Sequence, residues 1–340
     1  MPLVGIGTDV HAFALPSDMT AAYEASGSVP GQLLNQFALS QHEGDLRVAT
    51  TTTPSALSGT PELAIPDGEQ VPARPADVSQ SQVTVLRRSG DELAIVGQVS
   101  GLGPTEQIRG VRFAGPLAYV VTFRQTDPLY IVDLHDPTAP TVAGELKIPG
   151  FSSYLQMIGD GRVLGLGQDA TNSGRVQGFQ ESLFDVTDPS NPQRIANLVV
   201  PDATSLAEDD HHAVLWWEPE RLLAVPVSSW RAGGIASDLD SPTSNWPSSS
   251  VLVTRVTDTA IEQVGSISHP AAPSAGGGSS PCPPDANCAM PIDPGPGSYG
   301  WTPQIMRTLV ADGRLVTVSS AGVKVSDLTT LADLAWIPLP

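Results

Sequence analysis

The chain has 340 residues, of which 40% are hydrophobic, and its formal net charge at pH 7 is −19. This acidic surface disfavours nucleic acids and anionic bilayers, because both are bound largely by cationic side chains. No apolar run reaches the roughly 18 residues that a transmembrane helix needs. Glycine and proline number 32 each and fall between short apolar runs, which is typical of the turns of an all-β protein.

Residues 3–30 contain three short apolar runs, Leu3–Gly7, Asp9–Leu15 and Ala21–Val29. They predict the last three strands of a four-stranded unit that lacks its first strand. The segment Met1–Asp18 has neither a basic region nor an apolar core of the kind found in signal peptides. We therefore expect no signal peptide within this sequence.

The first full set of strands is predicted at about residues 31–101. It consists of two hairpins, whose strands are Leu33–Leu39, Asp45–Thr52, Gln82–Arg87 and Leu93–Val99. Between the hairpins, residues 54–80 are rich in proline, serine, alanine and glycine, and they predict a surface insertion.

The clearest unit lies at residues 108–150, where four apolar runs of strand length are separated by turn residues. No helical period links the runs, which are Gly110–Phe113, Leu117–Phe123, Leu129–Leu134 and Thr141–Ile148. Four antiparallel strands in about 45 residues are typical of one blade of a β-propeller.

Three further four-stranded sets are predicted at about residues 151–201, 211–269 and 304–339. The strands of the first are Ser153–Ile158, Arg162–Gly167, Gly178–Val186 and Arg194–Val200, and the second begins with a strand at His212–Trp217. Insertions are expected at 228–248, within the second of these sets, and at 270–301, before the last. The fourth strand of each set carries a small residue at a comparable position; these are Gly97, Gly144, Ala196, Gly265 and Ala335. The long insertions are tolerable because the entropy of loop closure grows only with the logarithm of loop length.

A second repeating mark follows the third strand of several sets. The pattern D-x-x-D-P-x-x-P occurs at 133–140 and 185–192, and weaker copies occur near 258 and 327. The aspartates Asp136, Asp188, Asp258 and Asp327 are each suited to accept backbone N–H bonds in an Asx turn, and a following proline presets φ for the reversal. We interpret these residues as scaffold.

The sequence therefore predicts a single all-β domain over residues 1–340. It is a β-propeller of four-stranded antiparallel blades, with five full blades and one partial blade. Because an open ring leaves unpaired strand edges, propellers close. Two alternatives follow: a six-bladed ring with one trimmed blade, or the C-terminal part of a longer propeller.

Several segments resemble those of a known family; they are Val120–Leu134, Gly144–Leu155, Leu164–Ala170, Ser182–Pro192, Asn35–Ser40 with Gly44–Thr51, Asp210–Leu215 and Leu222–Val227. The family comprises secreted bacterial and archaeal proteins with a C-terminal β-propeller domain distantly related to WD40 repeats. The resemblance implies an extracellular or cell-envelope location for the full-length protein, since members begin with an export signal. It implies no catalytic residues.

The two cysteines, Cys282 and Cys288, lie in one loop segment. We favour a local disulfide over two unrelated thiols, because exposed free thiols are usually avoided and a long loop gains from a covalent link. Without further cysteines or a nearby histidine, the pair is a poor zinc site. A disulfide would indicate an oxidising compartment.

The strongest polar constellation is Asp209, Asp210, His211 and His212. Carboxylates and imidazoles bind divalent metals, so these four residues are candidate ligands, and a divalent metal is the one cofactor that the sequence suggests. The alternative is structural, with these side chains bonding backbone groups at the start of a strand. Trp230 and Trp246, in a polar insertion, are candidate contacts for a carbohydrate or peptide. For the adjacent Trp216 and Trp217, we favour burial between blades.

No catalytic motif accompanies the fold, since the sequence contains neither a G-x-S-x-G elbow nor a P-loop. We therefore expect a non-enzymatic binding or scaffold module whose partner is a protein, peptide or glycan, and not a nucleic acid. One alternative is a hydrolase or lyase that uses acidic residues with His211 or His212 at the propeller channel. Another is a fragment without independent function.

Overall fold

The structure is a computed structural model that describes residues 6–17, 19–53, 78–123, 127–159, 161–229, 248–270 and 302–339. These residues form 23 strands in five sheets, mostly antiparallel, so the all-β prediction of four-stranded blades is confirmed. None of the helical segments in the described ranges has the length and apolar character needed to cross a bilayer. Most residues of the three predicted insertions lie outside the described residues.

The chain divides into two compact units. The first comprises residues 1–176 and 184–194, and the second comprises residues 177–183 and 195–340. The single domain expected over 1–340 therefore stays a prediction.

The first sheet has the strand order β1-β2-β6-β5-β4-β3. Its strands are β1 (Gly7–Ala14), β2 (Ala22–Pro30), β3 (Leu39–His42), β4 (Asp45–Thr52), β5 (Gln80–Ser89) and β6 (Glu92–Leu102). Neighbouring strands pair antiparallel except β2 and β6, which meet in a parallel bridge between Ser26 and Glu92.

The N-terminal residues form two of the strands expected for the partial blade. The runs at 9–15 and 21–29 become the antiparallel hairpin of β1 and β2, which is joined to the sheet of the following blade by the single bridge between Ser26 and Glu92. Ala25 and Val29 of β2 pack with Val48, Leu86 and Leu93 of that sheet, and the partial blade itself stays a prediction. The third expected strand, at 3–7, lies mostly outside the described residues.

The strand expected at Leu33–Leu39 is also wrong. Residues Gln36–Ala38 form a 3-10 turn, and the strand begins only at Leu39. The Asn35 side chain caps this turn by accepting a hydrogen bond from the Phe37 backbone N–H at 3.0 Å. Asparagine competes with strand pairing in this way because its side chain satisfies a nearby backbone donor.

The next two sheets match the predicted blades at 108–150 and 151–201 to within three residues at each strand end. Their orders are β10-β9-β8-β7 and β11-β12-β13-β14. The strands are β7 (Gln107–Ala114), β8 (Leu117–Phe123), β9 (Asp127–Asp133), β10 (Thr141–Ile148), β11 (Phe151–Met157), β12 (Arg162–Ala170), β13 (Val176–Asp185) and β14 (Gln193–Pro201).

The last two sheets belong to the second unit and correspond to the blades predicted at 211–269 and 304–339. One has the order β15-β17-β18-β19 with β16 also paired to β17, and the other has the order β20-β21-β22-β23. The strands are β15 (Ala203–Ser205), β16 (Leu215–Trp217), β17 (Leu222–Ser229), β18 (Ser248–Val256), β19 (Ile261–Ile267), β20 (Ile305–Ala311), β21 (Arg314–Ser319), β22 (Gly322–Asp327) and β23 (Asp333–Pro338).

The Asp-Pro turns are formed largely as predicted. Asp136 Oδ1 accepts the Thr138 backbone N–H at 2.9 Å, Asp188 Oδ1 accepts that of Ser190 at 2.9 Å, and Asp327 Oδ1 accepts two such bonds. The degraded copy at 258 differs, since Thr257 Oγ1 accepts the backbone N–H of Ala260 at 2.9 Å while Asp258 pairs with Arg221. A hydroxyl thus replaces the carboxylate in that turn.

Candidate metal and ligand site

The segment predicted to hold a metal lies between β15 and β16 and consists of two consecutive 3-10 turns. In the first, Ser205 and Glu208 form a capping box. The Ser205 side chain accepts a backbone N–H of the turn, and the Glu208 side chain accepts the backbone N–H of Ser205. In the second, Asp210 Oδ1 accepts the His212 backbone N–H at 3.0 Å. These caps explain why the strand predicted at His212–Trp217 begins only at Leu215.

Asp210, His211 and His212 come together at the second turn. Their metal-ligating atoms all lie within 4.8 Å of one another. The two imidazole rings are 3.9 Å apart, centroid to centroid. Asp210 and His211 are half-buried and His212 is exposed, so the group opens to solvent. Asp209, the fourth predicted ligand, is exposed and does not belong to this group.

The Asp210 carboxylate has two cationic or donor neighbours. Its Oδ2 pairs with Nη2 of Arg307, on β20, at 2.8 Å, and its Oδ1 lies 3.1 Å from Nδ1 of His212. Burial raises the pKa of Asp210, but the hydrogen bonds from His212 and the charge of Arg307 outweigh this and hold the pKa below its ordinary value. Asp210 is therefore ionised at neutral pH, and Arg307 competes for it with any cation.

One carboxylate and two imidazoles are a donor set suited to zinc and other divalent transition metals. Ligand atoms of a tetrahedral zinc site lie about 3.3 Å apart, so the three side chains would have to move closer together by about 1.5 Å at most. The solvent-exposed His212 can make such a rotation at low cost. Three protein ligands would leave a fourth position open to water or to a group of a partner.

A family model described as "Beta propeller domain" matches residues 4–331. The chain belongs to this beta propeller family. The propeller is 38% identical over 192 residues to an uncharacterized protein of Archaeoglobus fulgidus, covering 56% of this chain and 26% of that protein. It is 37% identical over 202 residues to an uncharacterized protein of Methanocaldococcus jannaschii, covering 59% and 28% respectively. The chain thus spans little more than a quarter of either relative.

Four of the other residues predicted from the sequence lie outside the described part of the propeller. They are Trp230, Trp246, Cys282 and Cys288. Trp216 and Trp217, the adjacent pair, are both half-buried, and Trp217 packs against the core of β17 and β18. The burial expected for this pair is therefore found only in part.

Two buried titratable groups in the second unit of the propeller were missed by the sequence analysis. Glu181 is fully buried, and its Oε2 accepts a hydrogen bond from Thr254 Oγ1 at 2.8 Å, while its Oε1 has no partner among the described residues. His269 is buried between the hydroxyls of Ser319 and Thr317, each 2.7 Å from one ring nitrogen. No local pattern predicts either, since their partners lie between 48 and 73 residues away in the sequence.

A third missed feature is a cavity of mixed polar and apolar lining in the first unit. It has a volume of about 290 Å³, and Arg47 of β4, with only 5% of its surface exposed, lies in its wall. The Arg47 side chain donates to the Gly115 carbonyl oxygen and to Ser40 Oγ, and its Cζ lies 4.9 Å from the centroid of the Phe113 ring. The sequence did not reveal this site because arginines in strands usually face solvent.

Proposed function

We propose that this propeller is a non-enzymatic binding module, and that Asp210, His211 and His212 bind a divalent transition metal through which a partner is engaged. The observation that carries the proposal is the approach of the three ligand-capable side chains at a turn that opens to solvent. The partner class remains a protein, peptide or glycan, which would complete the coordination of the metal.

The state of Asp210 limits the catalytic alternative. A general base works best when its pKa lies near the working pH. The pKa of Asp210 is held below its ordinary value by His212 and Arg307, which makes this carboxylate a weak base at neutral pH. A hydrolase or lyase centred on these residues would therefore have to use His211 or His212 as its base.

We further propose that the full-length protein acts outside the cytoplasm, in the cell envelope or beyond it, and that Cys282 and Cys288 form a disulfide there. The resemblance to secreted proteins and the short spacing of the cysteines support this. Thiol titration of protein purified without reductant tests the disulfide, and two reactive thiols per unfolded chain would overturn it.

The metal site is tested by calorimetric titration of chelator-treated protein with Zn²⁺. We expect one site per chain, and an affinity loss of at least about tenfold when His211 and His212 are both replaced by alanine. His135→Ala is a matched control, because His135 has the same local geometry with Asp133, whose Oδ1 accepts its backbone N–H at 2.8 Å and lies 2.7 Å from its Nδ1. Equal affinity of the wild-type protein and the double variant would overturn the proposal.

The fragment hypothesis is tested separately by heating the metal-free protein. An independently folded module should be monomeric and melt in one cooperative transition. Aggregation through open strand edges, without a cooperative transition, would favour the fragment.

A further inference from the structure

We propose that the cavity beside Arg47 binds a small monocarboxylate with an apolar body. The cavity lies within the first unit and shares no residue with the turn at Asp210. It is therefore a second binding site, with its own ligand chemistry.

The inference begins with the incomplete bonding of Arg47. Its side chain is 95% buried, yet Nε has no hydrogen-bond partner, and among the described residues no acidic side chain pairs with it. A buried guanidinium without a counterion is strongly disfavoured, because the lost hydration is not replaced. Burial accordingly lowers the pKa of Arg47, although arginine stays protonated in proteins.

The buried acid in the cavity wall is already paired with another arginine. Asp45 lines the same cavity, but both of its carboxylate oxygens are occupied by Arg87, whose Nε and Nη2 each lie 2.6 Å away. Arg88 and Arg162 of the same unit, by comparison, pair with Glu24 and Asp185. Arg47 is thus left for an anion supplied from outside.

The guanidinium is also held in place before any ligand arrives. Its two terminal nitrogens donate to the Gly115 carbonyl and to Ser40 Oγ, and its Cζ lies 4.9 Å from the centroid of the Phe113 ring. A group fixed in this way loses little conformational entropy when it binds, and each terminal nitrogen keeps a second N–H that these two bonds do not use.

The cavity wall indicates the rest of the ligand. Val85, Leu134, Pro116 and Pro137 supply apolar surface, and the volume of about 290 Å³ fits only a small molecule. Glu43, an exposed carboxylate at the same cavity, would repel a dianion such as phosphate more than a monoanion. A short aliphatic or aromatic monocarboxylate satisfies the charge, the size and the apolar wall together.

The test is calorimetric titration of metal-free protein with benzoate, hexanoate and inorganic phosphate. We expect saturable binding of at least one carboxylate and weaker binding of phosphate. Arg47→Met should weaken carboxylate binding at least tenfold, whereas Arg88→Met, an arginine paired to Glu24 elsewhere on the same sheet, should leave it unchanged. No saturable carboxylate binding, phosphate as the tighter ligand, or equal losses in the two variants would each overturn the proposal.

Glu43→Gln provides a variant that does not disturb the buried guanidinium. Glu43 is exposed in the β3–β4 turn, so its replacement should leave folding intact. Removing its negative charge should tighten carboxylate binding about twofold, as expected for a solvent-screened charge near the site. If Arg47→Met does not fold, the affinity of the Glu43→Gln protein for the carboxylate tests the proposal instead. Unchanged or weaker carboxylate binding by Glu43→Gln would contradict it. The metal site is measured in a separate titration with Zn²⁺, so a negative result at one site leaves the proposal for the other unaffected.

Discussion

The carbonyl oxygen of Pro137 occupies the space that a Cβ atom on residue 97 would need. Gly97 lies on β6, and Pro137 belongs to the Asp-Pro turn that follows β9. The same relationship recurs between Gly144 and Pro189. The sequence repeats two features, a glycine in the fourth strand of a blade and an Asp-Pro turn in the blade that follows. These two features therefore contact each other.

This contact predicts the cost of adding a methyl group at the glycine. Gly144→Ala should lower the free energy of unfolding by about 1–3 kcal/mol, because backbone must shift to accommodate the new atom. Urea unfolding measures the change. The matched control is Gly265→Ala at the equivalent position, where a Cβ would meet only Cδ1 of Leu331 at 2.9 Å. A smaller loss for Gly144→Ala than for Gly265→Ala would contradict the steric explanation.

The Asp-Pro turns predict a second difference between copies. Asp188→Ala removes the acceptor of the Ser190 backbone N–H and of the Ser190 hydroxyl, at 2.9 and 2.6 Å. We expect a loss of about 1 kcal/mol in the free energy of unfolding. Asp258→Ala should cost less, because Thr257 accepts the turn bond there and the Arg221 pair is largely exposed. Equal losses at the two sites, measured in urea, would refute this assignment.

Glu181 predicts a loss of stability as the pH rises. Burial raises its pKa to about 8, opposed in part by the hydrogen bond from Thr254. The folded state then binds a proton that the unfolded state has released, so stability is full below about pH 4.5 and falls up to about pH 8. Glu181→Gln should abolish this slope, which is on the order of 1 kcal/mol per pH unit. An unchanged slope in the variant would rule out Glu181 as its source.

His269 predicts the opposite trend at acidic pH. Burial, and secondarily the charge of Lys324, lower the pKa of His269 to about 4. Here the unfolded state binds the extra proton, so stability falls as the pH drops from about 6.5 through about 4. His269→Gln should flatten the acidic limb of a plot of melting temperature against pH. Between about pH 4.5 and 6.5 the Glu181 and His269 effects oppose each other in the wild-type protein, and each variant should expose the other's slope.

Removing the Arg307 side chain should increase the affinity of the site for a metal ion. Its guanidinium holds Asp210 Oδ2 at 2.8 Å and places a positive charge beside the proposed site. Arg307→Gln should therefore tighten Zn²⁺ binding several-fold, while the loss of a partly exposed ion pair should cost at most about 1 kcal/mol of stability. Titration calorimetry with a melting curve separates the two effects. Weaker binding by a stably folded Arg307→Gln protein would mean that the arginine supports the site.

Sequence patterns predicted the strands well where each strand has its own apolar run and turn. Residues 108–150 are the best case, since the strands at Leu117–Phe123 and Thr141–Ile148 have the predicted ends. The failures at Leu33–Leu39 and His212–Trp217 have one cause, because Asn35 and Asp210 cap 3-10 turns that interrupt the pairing. Side-chain caps of this kind depend on backbone geometry that apolar periodicity does not register.

The residues of the metal site could be predicted from the sequence, whereas the cavity beside Arg47 could not. Asp210, His211 and His212 are adjacent in sequence, so any tight turn brings them together. The surroundings of Arg47 depend on Gly115, 68 residues away, and on a second blade. Isolated residues brought together by tertiary contacts leave no spacing pattern in one sequence.

Anomalous diffraction from crystals soaked in Zn²⁺ tests the metal site most directly. We predict one strong peak at the turn, with the imidazole nitrogens of His211 and His212 about 2.0–2.1 Å from the ion and an Asp210 oxygen at a similar distance. A peak that is absent there under saturating Zn²⁺, or present only at other side chains, would contradict the proposed function.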